Sequence, residues 1–113
     1  MHSQSEHDLS DSTRYQVLKI LQQEPEISQR KLAARMGVSV GKTNYCLRAL
    51  KDKGLIKASR FRNAKNRAAY AYILTPQGVE EKAKVTYRFL KRKMREYEQV
   101  QQEIEELKQE IAE

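Results

Sequence analysis

The 113-residue sequence predicts a mainly α fold with one small β hairpin and a long helix toward its carboxy-terminal end. Three observations carry this expectation. Stretches with helical apolar spacing recur over residues 13–53, each opened by a capping side chain and closed by glycine or proline. Two runs of strand character follow, joined by the polar turn NAKNR. After Pro76 and Gly78 no helix breaker occurs as far as Glu113.

The elements follow in order. Residues 1–11 hold only Met1 and Leu9 as large apolar side chains, a composition that predicts a disordered tail. Asp11 or Ser12 caps a first helix over residues 13–23, where Tyr15, Leu18 and Leu21 recur every three residues with Val17 and Ile20 beside them. Pro25 ends it. Ser28 opens a short second helix over residues 29–36, with Leu32 and Met36 one turn apart and Gly37 at the left-handed closing position. Ser39 caps a third helix that runs to Lys53 and stops at Gly54.

On that third helix Thr43, Cys46, Leu47 and Leu50 fall on one side and predict a buried stripe. Gly41, Asn44, Tyr45 and Arg48 face the other way, where no core needs them. Residues 55–62 and 68–74 read as paired strands, with Asn63 and Asn66 suited to positive φ in the turn. Tyr70, Tyr72 and Leu74 alternate along the second strand, a pattern that stacking on bases would use but that a strand face closing onto the core explains more cheaply. Thr75 caps the last helix, Pro76 takes its first position, where a missing amide costs nothing, and Gly78 is tolerated in the first turn.

Along this last helix Ala83, Tyr87, Leu90, Met94 and Tyr97 step by 4, 3, 4, 3, and Val100, Ile104, Leu107 and Ile111 continue by 3, 4, 3, 4. This is the heptad seam of a coiled coil. The two steps of three that meet at Tyr97 form a stammer, expected to overwind a supercoil locally. Too apolar to be left in water, the seam predicts dimerisation through Tyr87, Leu90, Met94, Tyr97, Val100, Ile104, Leu107 and Ile111.

Charge selects the class of partner. Lys and Arg number 22 against 15 Asp and Glu, a formal net charge of +7. Residues 25–75 alone carry +10, and between Asp52 and Glu80 there is no acid, although Lys53, Lys57, Arg60, Arg62, Lys65 and Arg67 fall in that gap. Such a basic body favours a polyanion. Catalysis is not expected: His2 and His7 lie in the tail without ordered partners, and no glycine-rich nucleophile turn or phosphate loop occurs. With a single cysteine, Cys46 on the buried stripe, neither an intramolecular disulfide nor a zinc site is expected, and no cofactor is implied. No apolar run approaches the ~20 residues of a bilayer helix, and the start MHSQSEHDLSDS lacks signal-peptide character. A reducing cytoplasm and association with the nucleoid are expected, with no membrane partner.

A short helix, a glycine turn and a longer helix with an exposed polar face make a helix-turn-helix, and the basic hairpin makes it winged. The expected organisation is a tail over 1–11, a winged helix-turn-helix domain over 12–78 and a dimerisation helix over 79–113. The recognition helix would present Ser39, Val40, Gly41, Lys42, Asn44, Tyr45 and Arg48 to double-stranded DNA. Gly41 permits close backbone approach, Asn44 suits adenine, Arg48 suits guanine, and Tyr45 can stack or reach a phosphate. Lys42, with Ser28, Gln29 and Arg30 of the second helix, would hold the phosphate backbone. Arg60, Arg62, Asn63, Lys65, Asn66 and Arg67 of the wing complete the expected interface.

The run ISQRKLAARMGVSVGKTNYCLRALKDKGLIK, the stretch YAYILTPQG and the following EEKAKVTYRFLKRKMREYE resemble the MarR-type winged-helix transcriptional regulators. Within them the resemblance is to a small exopolysaccharide-associated bacterial subgroup encoded with polysaccharide biosynthesis genes. It covers about residues 14–98, and NYCLRAL and YAYILTPQG are its specific parts. The resemblance implies a dimeric, sequence-specific DNA-binding regulator whose recognition helix spans Val40 to Arg48. Larger MarR proteins use extra helices at both ends to build the dimer and a ligand crevice. One long helix stands in their place here, so ligand sensing is not implied and the effector is unknown.

The last helix has a basic half, with Lys82, Lys84, Arg88, Lys91, Arg92, Lys93 and Arg95, and an acidic half, with Glu96, Glu98, Glu103, Glu105, Glu106, Glu110 and Glu113. A parallel pair would set like charges side by side, so an antiparallel homodimer is expected. The rival reading is an interaction adaptor that docks proteins through this helix and the winged domain, without specific DNA binding.

Overall fold

A computed structural model describes residues 9–112, in the order α1 (Asp11–Gln23), α2 (Gln29–Met36), α3 (Val40–Asp52), β1 (Ile56–Arg62), β2 (Ala68–Leu74) and α4 (Pro76–Ala112). The mainly helical architecture with one two-stranded antiparallel hairpin matches the expectation. Each short helix opens on a serine. Ser10 Oγ accepts from the Thr13 amide at 3.1 Å, Ser28 Oγ from Lys31 at 3.1 Å and Ser39 Oγ from Lys42 at 3.0 Å. These bonds satisfy amides that a helix start leaves without a partner.

The first cap corrects the reading of the amino-terminal tail. Ser10 rather than Asp11 or Ser12 is the cap, Asp11 is the first helical residue, and Leu9 is 7% exposed within the core. One leucine beside a capping serine suffices to fold back onto α1, although the composition around it is polar. The rest of the expected tail, residues 1–8 with His2 and His7, lies outside the described residues, as does Glu113.

Val17, Leu18 and Leu21 of α1, Ile27, Leu32 of α2, Cys46, Leu47 and Leu50 of α3, and Ile56 of β1 form one buried cluster. Thr43 is buried beside them and donates from Oγ1 to the Ser39 carbonyl at 3.0 Å, so the stripe expected on α3 is the stripe observed. Between α2 and α3, Gly37 adopts φ 70°, and the Val38 amide reaches back to the Ala33 carbonyl at 3.1 Å. That left-handed closure is what lets α3 begin in a new direction after only Gly37, Val38 and Ser39.

The hairpin pairs Ile56 with Leu74 at its base and Arg62 with Ala68 at its tip. Within the turn only Asn66 has positive φ, 61°. Asn63 does different work: its Oδ1 accepts from the Lys65 amide at 2.9 Å and the Arg67 amide at 3.0 Å, bonds that fasten the turn from its first residue. Tyr70 also departs from expectation. It is 51% exposed beneath Arg60, its cross-strand partner, while Tyr72 and Leu74, nearer the base, pack against the core.

Thr75 joins the wing to α4. Its Oγ1 accepts from the Gly78 amide at 3.0 Å and donates to the Gly54 carbonyl at 2.6 Å. Gly78 is required rather than tolerated, because a Cβ there would collide with the backbone carbonyl of Leu55. The 37-residue α4 then docks on α1 through buried Val85 and through Phe89, which stacks on Tyr15 with centroids 5.2 Å apart. Arg14 pairs with Glu81 at 2.5 Å, and Asp11 pairs with Arg88 at 2.9 Å and Arg92 at 3.6 Å. Among the described residues no helix is long and apolar enough to cross a membrane.

Candidate nucleic-acid interface

The exposed side of α3 and the inner face of the wing converge on one surface. Because the buried stripe points α3 inward, Gly41, Lys42, Tyr45 and Arg48 stand exposed, and Ser39 and Val40 are exposed at the helix start. Lys42 Nζ lies 5.4 Å from the centre of the Tyr45 ring. A Cβ on Gly41 would find nothing nearer than Ser39 Oγ at 3.9 Å, so no intramolecular contact demands glycine there. A shallow concavity of about 590 Å³ follows this side of the helix past Asn44 and Arg48 to Asp52 and Lys53.

A smaller cleft of about 160 Å³ separates α3 from the hairpin, lined by Asn44, Arg48 and Lys51 on one wall and Ala58, Tyr70 and Tyr72 on the other. Asn44 is half-buried at its floor. Its Nδ2 donates to Gln29 Oε1 at 3.4 Å, and Gln29 Nε2 donates to the Tyr72 hydroxyl at 3.1 Å. One polar chain thus spans α3, α2 and β2. Gln29, expected on the phosphate backbone, bonds to Asn44 and Tyr72 here, while Arg30 is exposed and the Ser28 hydroxyl caps α2.

The wing presents Arg60, Arg62, Lys65 and Arg67 to solvent. Arg60 lies 5.9 Å above the Tyr70 ring, and Arg62 donates to the Asn66 carbonyl at 3.0 Å, so both guanidinium groups are partly oriented in advance. Asn63 builds the turn, and Asn66 supplies its left-handed residue. Cys46 lies under α3 without exposure, and burial pushes its thiol pKa up, which keeps it protonated and unreactive.

Sequence reasoning missed the bracing role of Gln29 and Tyr72, because the two are 43 positions apart and share no periodic pattern. It also missed Val85 and Phe89, which form a second apolar face on α4, offset from the heptad seam. Their four-residue spacing was the available signal. The seam residues from Tyr87 to Ile111 that were expected to dimerise are all 45–86% exposed.

The fold and surface define a winged helix-turn-helix. A family model described as winged helix-turn-helix DNA-binding matches residues 10–57. Among solved structures the chain is similar to the PcaV transcriptional regulator of Streptomyces coelicolor, with 25% identity, TM-score 0.58, and 71% of this chain covering 55% of that one. It is similar in fold to a PadR-like transcriptional regulator of Bacillus cereus, at 18% identity and TM-score 0.72, with 79% of this chain covering 91% of that one. It also shares its fold with the zinc-dependent MarR family regulator AdcR, at 22% identity and TM-score 0.58, with 82% of this chain covering 60% of that one. The chain therefore spans little more than half the length of PcaV. No curated protein sequence matches it. The family match supports a DNA-binding winged helix-turn-helix, and these neighbours share its fold.

Proposed function

We propose that this protein is a sequence-specific double-stranded DNA-binding transcriptional regulator of MarR type, acting in the cytoplasm as a homodimer. The observation that carries the reading is the continuity of the exposed α3 side, with Gly41, Lys42, Tyr45 and Arg48, with a wing whose four basic side chains form no ion pair among the described residues. In this reading α3 enters the major groove, Asn44 and Arg48 address base edges, and Lys42 and Arg30 hold phosphates. Arg60, Arg62, Lys65 and Arg67 follow the adjacent backbone. A glycine at position 41 costs helix stability of about 1 kcal/mol relative to alanine, and close approach to DNA is a reason to keep it.

Control of exopolysaccharide genes rests on the resemblance of NYCLRAL and YAYILTPQG to that subgroup. The dimer rests on the exposed seam of α4, and its antiparallel sense on the basic and acidic halves of that helix. The test is duplex binding across a salt series. Affinity should fall steeply with salt, and replacing Arg60, Arg62, Lys65 and Arg67 together by Gln should reduce the log–log slope by roughly one per lost phosphate contact. Binding insensitive to salt in the unaltered protein would favour the adaptor reading instead.

A further inference from the structure

The seam of α4 has a symmetry that its steps alone disguise. Outward from Tyr97 the apolar residues recur at 3, 4, 3, 4 in both directions: Met94, Leu90, Tyr87 and Ala83 toward the wing, Val100, Ile104, Leu107 and Ile111 toward the far end. The whole spans 28 residues in eight steps, an average of 3.5 residues per step, which is the repeat of a left-handed coiled coil. The paired steps of three are thus the centre of a mirror-related spacing. A parallel pair gains nothing from such a mirror. In an antiparallel pair it brings every seam residue level with another seam residue.

The structure leaves that face open. With α4 uninterrupted from Pro76 to Ala112, Ala83, Tyr87, Leu90 and Met94 lie about 140–200° around the helix from Val85. Val85 and Phe89 make the apolar contact with α1, and Glu81, Arg88 and Arg92 pair with its charged side chains, so none of the seam residues is used in docking α4 on α1. Four heptads is also the length at which such a pattern sustains a coiled coil.

We propose that two copies of this chain pair through α4 about a two-fold axis at Tyr97. The layers are then Tyr97 on its own counterpart, Met94 on Val100, Leu90 on Ile104, Tyr87 on Leu107 and Ala83 on Ile111. Each layer beyond the centre joins one residue of the basic half to one of the acidic half. The register rests on the antiparallel reading above and adds to it a fixed axis. It is independent of what the winged domain binds.

Disulfide mapping in a Cys46→Ala background tests it, with sedimentation under reducing conditions as the independent measure of assembly. In the proposed register the two copies of position 87 stand about 30 Å apart, as do the two copies of position 107, far beyond the roughly 7 Å between Cα atoms that a disulfide spans. Tyr87→Cys and Leu107→Cys proteins should each stay unlinked alone and give a linked dimer when mixed under reducing conditions and then oxidised. Leu90→Cys with Ile104→Cys provides a second pair should either first variant dissociate. Rapid self-linking of Tyr87→Cys would mean a parallel pair and overturn the proposal. A dimer in sedimentation with neither mixture linked would overturn the register alone. A monomeric unaltered protein at tens of micromolar would overturn the dimer with it.

Discussion

Gln29 of α2 donates to the hydroxyl of Tyr72 on the wing at 3.1 Å, and through this bond the helix-turn-helix and the hairpin share one polar chain that ends on Asn44. Removing the hydroxyl leaves a half-buried amide without its acceptor. Tyr72→Phe should lower stability by about 0.5–1.5 kcal/mol, read from the urea midpoint. It should also weaken discrimination at the base pair addressed by Asn44 more than it weakens nonspecific binding, and equal loss on all duplexes would separate Tyr72 from base reading.

The two glycines Gly78 and Gly41 should respond to alanine in opposite ways. At Gly78 the new methyl group meets the Leu55 carbonyl, so destabilisation of about 1–3 kcal/mol is expected, of the size seen for overpacked sites. At Gly41 the space is open and the backbone helical, so alanine should stabilise by up to about 1 kcal/mol while weakening duplex binding. Thermal denaturation of both variants, with binding measured for Gly41→Ala, checks the pair. Unchanged affinity in that variant would remove the argument for close approach at this position.

Arg48 and Lys42 stand on the same exposed side of α3 but are expected to contribute differently. Arg48→Ala should cost about 1–3 kcal/mol on the preferred site and relax selection at one base pair. Lys42→Ala should weaken every duplex alike and make the salt dependence shallower. Selection from random DNA distinguishes them, and an identical motif from unaltered and Arg48→Ala proteins would place base reading elsewhere.

The Asp11–Arg88 pair makes stability depend on acid. The hydrogen bond from Arg88 is the largest influence on Asp11 and holds its carboxyl below the usual value, against a smaller opposing effect of burial. A carboxylate depressed in the folded state stabilises fully above its unfolded pKa, near pH 4, and loses that contribution as pH falls through the folded value. The unaltered protein should therefore melt above Asp11→Asn from pH 5 to 7, with the gap closing as the solution is acidified below pH 4. A gap that is constant down to pH 2 would show that Asp11 acts through something other than its charge.

Features encoded by local chemistry were legible before the structure. Ser28, Gly37, Ser39 and Gly54 set the bounds of α2 and α3, because caps and left-handed turns depend on neighbours in the chain. The α3 stripe and the exposed side opposite it follow from periodicity in the same way. What escaped was long-range. That Gly78 sits against Leu55, or that Gln29 reaches Tyr72, depends on how elements dock, and no local pattern reports it. Phe89 and Val85 were overshadowed by the stronger heptad rhythm on the same helix, and Leu9 by the polar residues around it.

A single residue, Thr75, separates the end of β2 from the start of α4, and its hydroxyl and Gly78 lock that joint to Leu55 and Gly54. The wing is thus mounted on a stiff beam and not on a tether. A flexible linker lets paired readers accept targets at many separations, since its end-to-end distance fluctuates. A beam does not. With the axis at Tyr97 the two Pro76 residues stand about 63 Å apart, close to the span of two turns of B-form DNA. Inserting about five base pairs between half-sites would rotate one of them to the far side of the duplex, and the assembled protein has no slack with which to follow it.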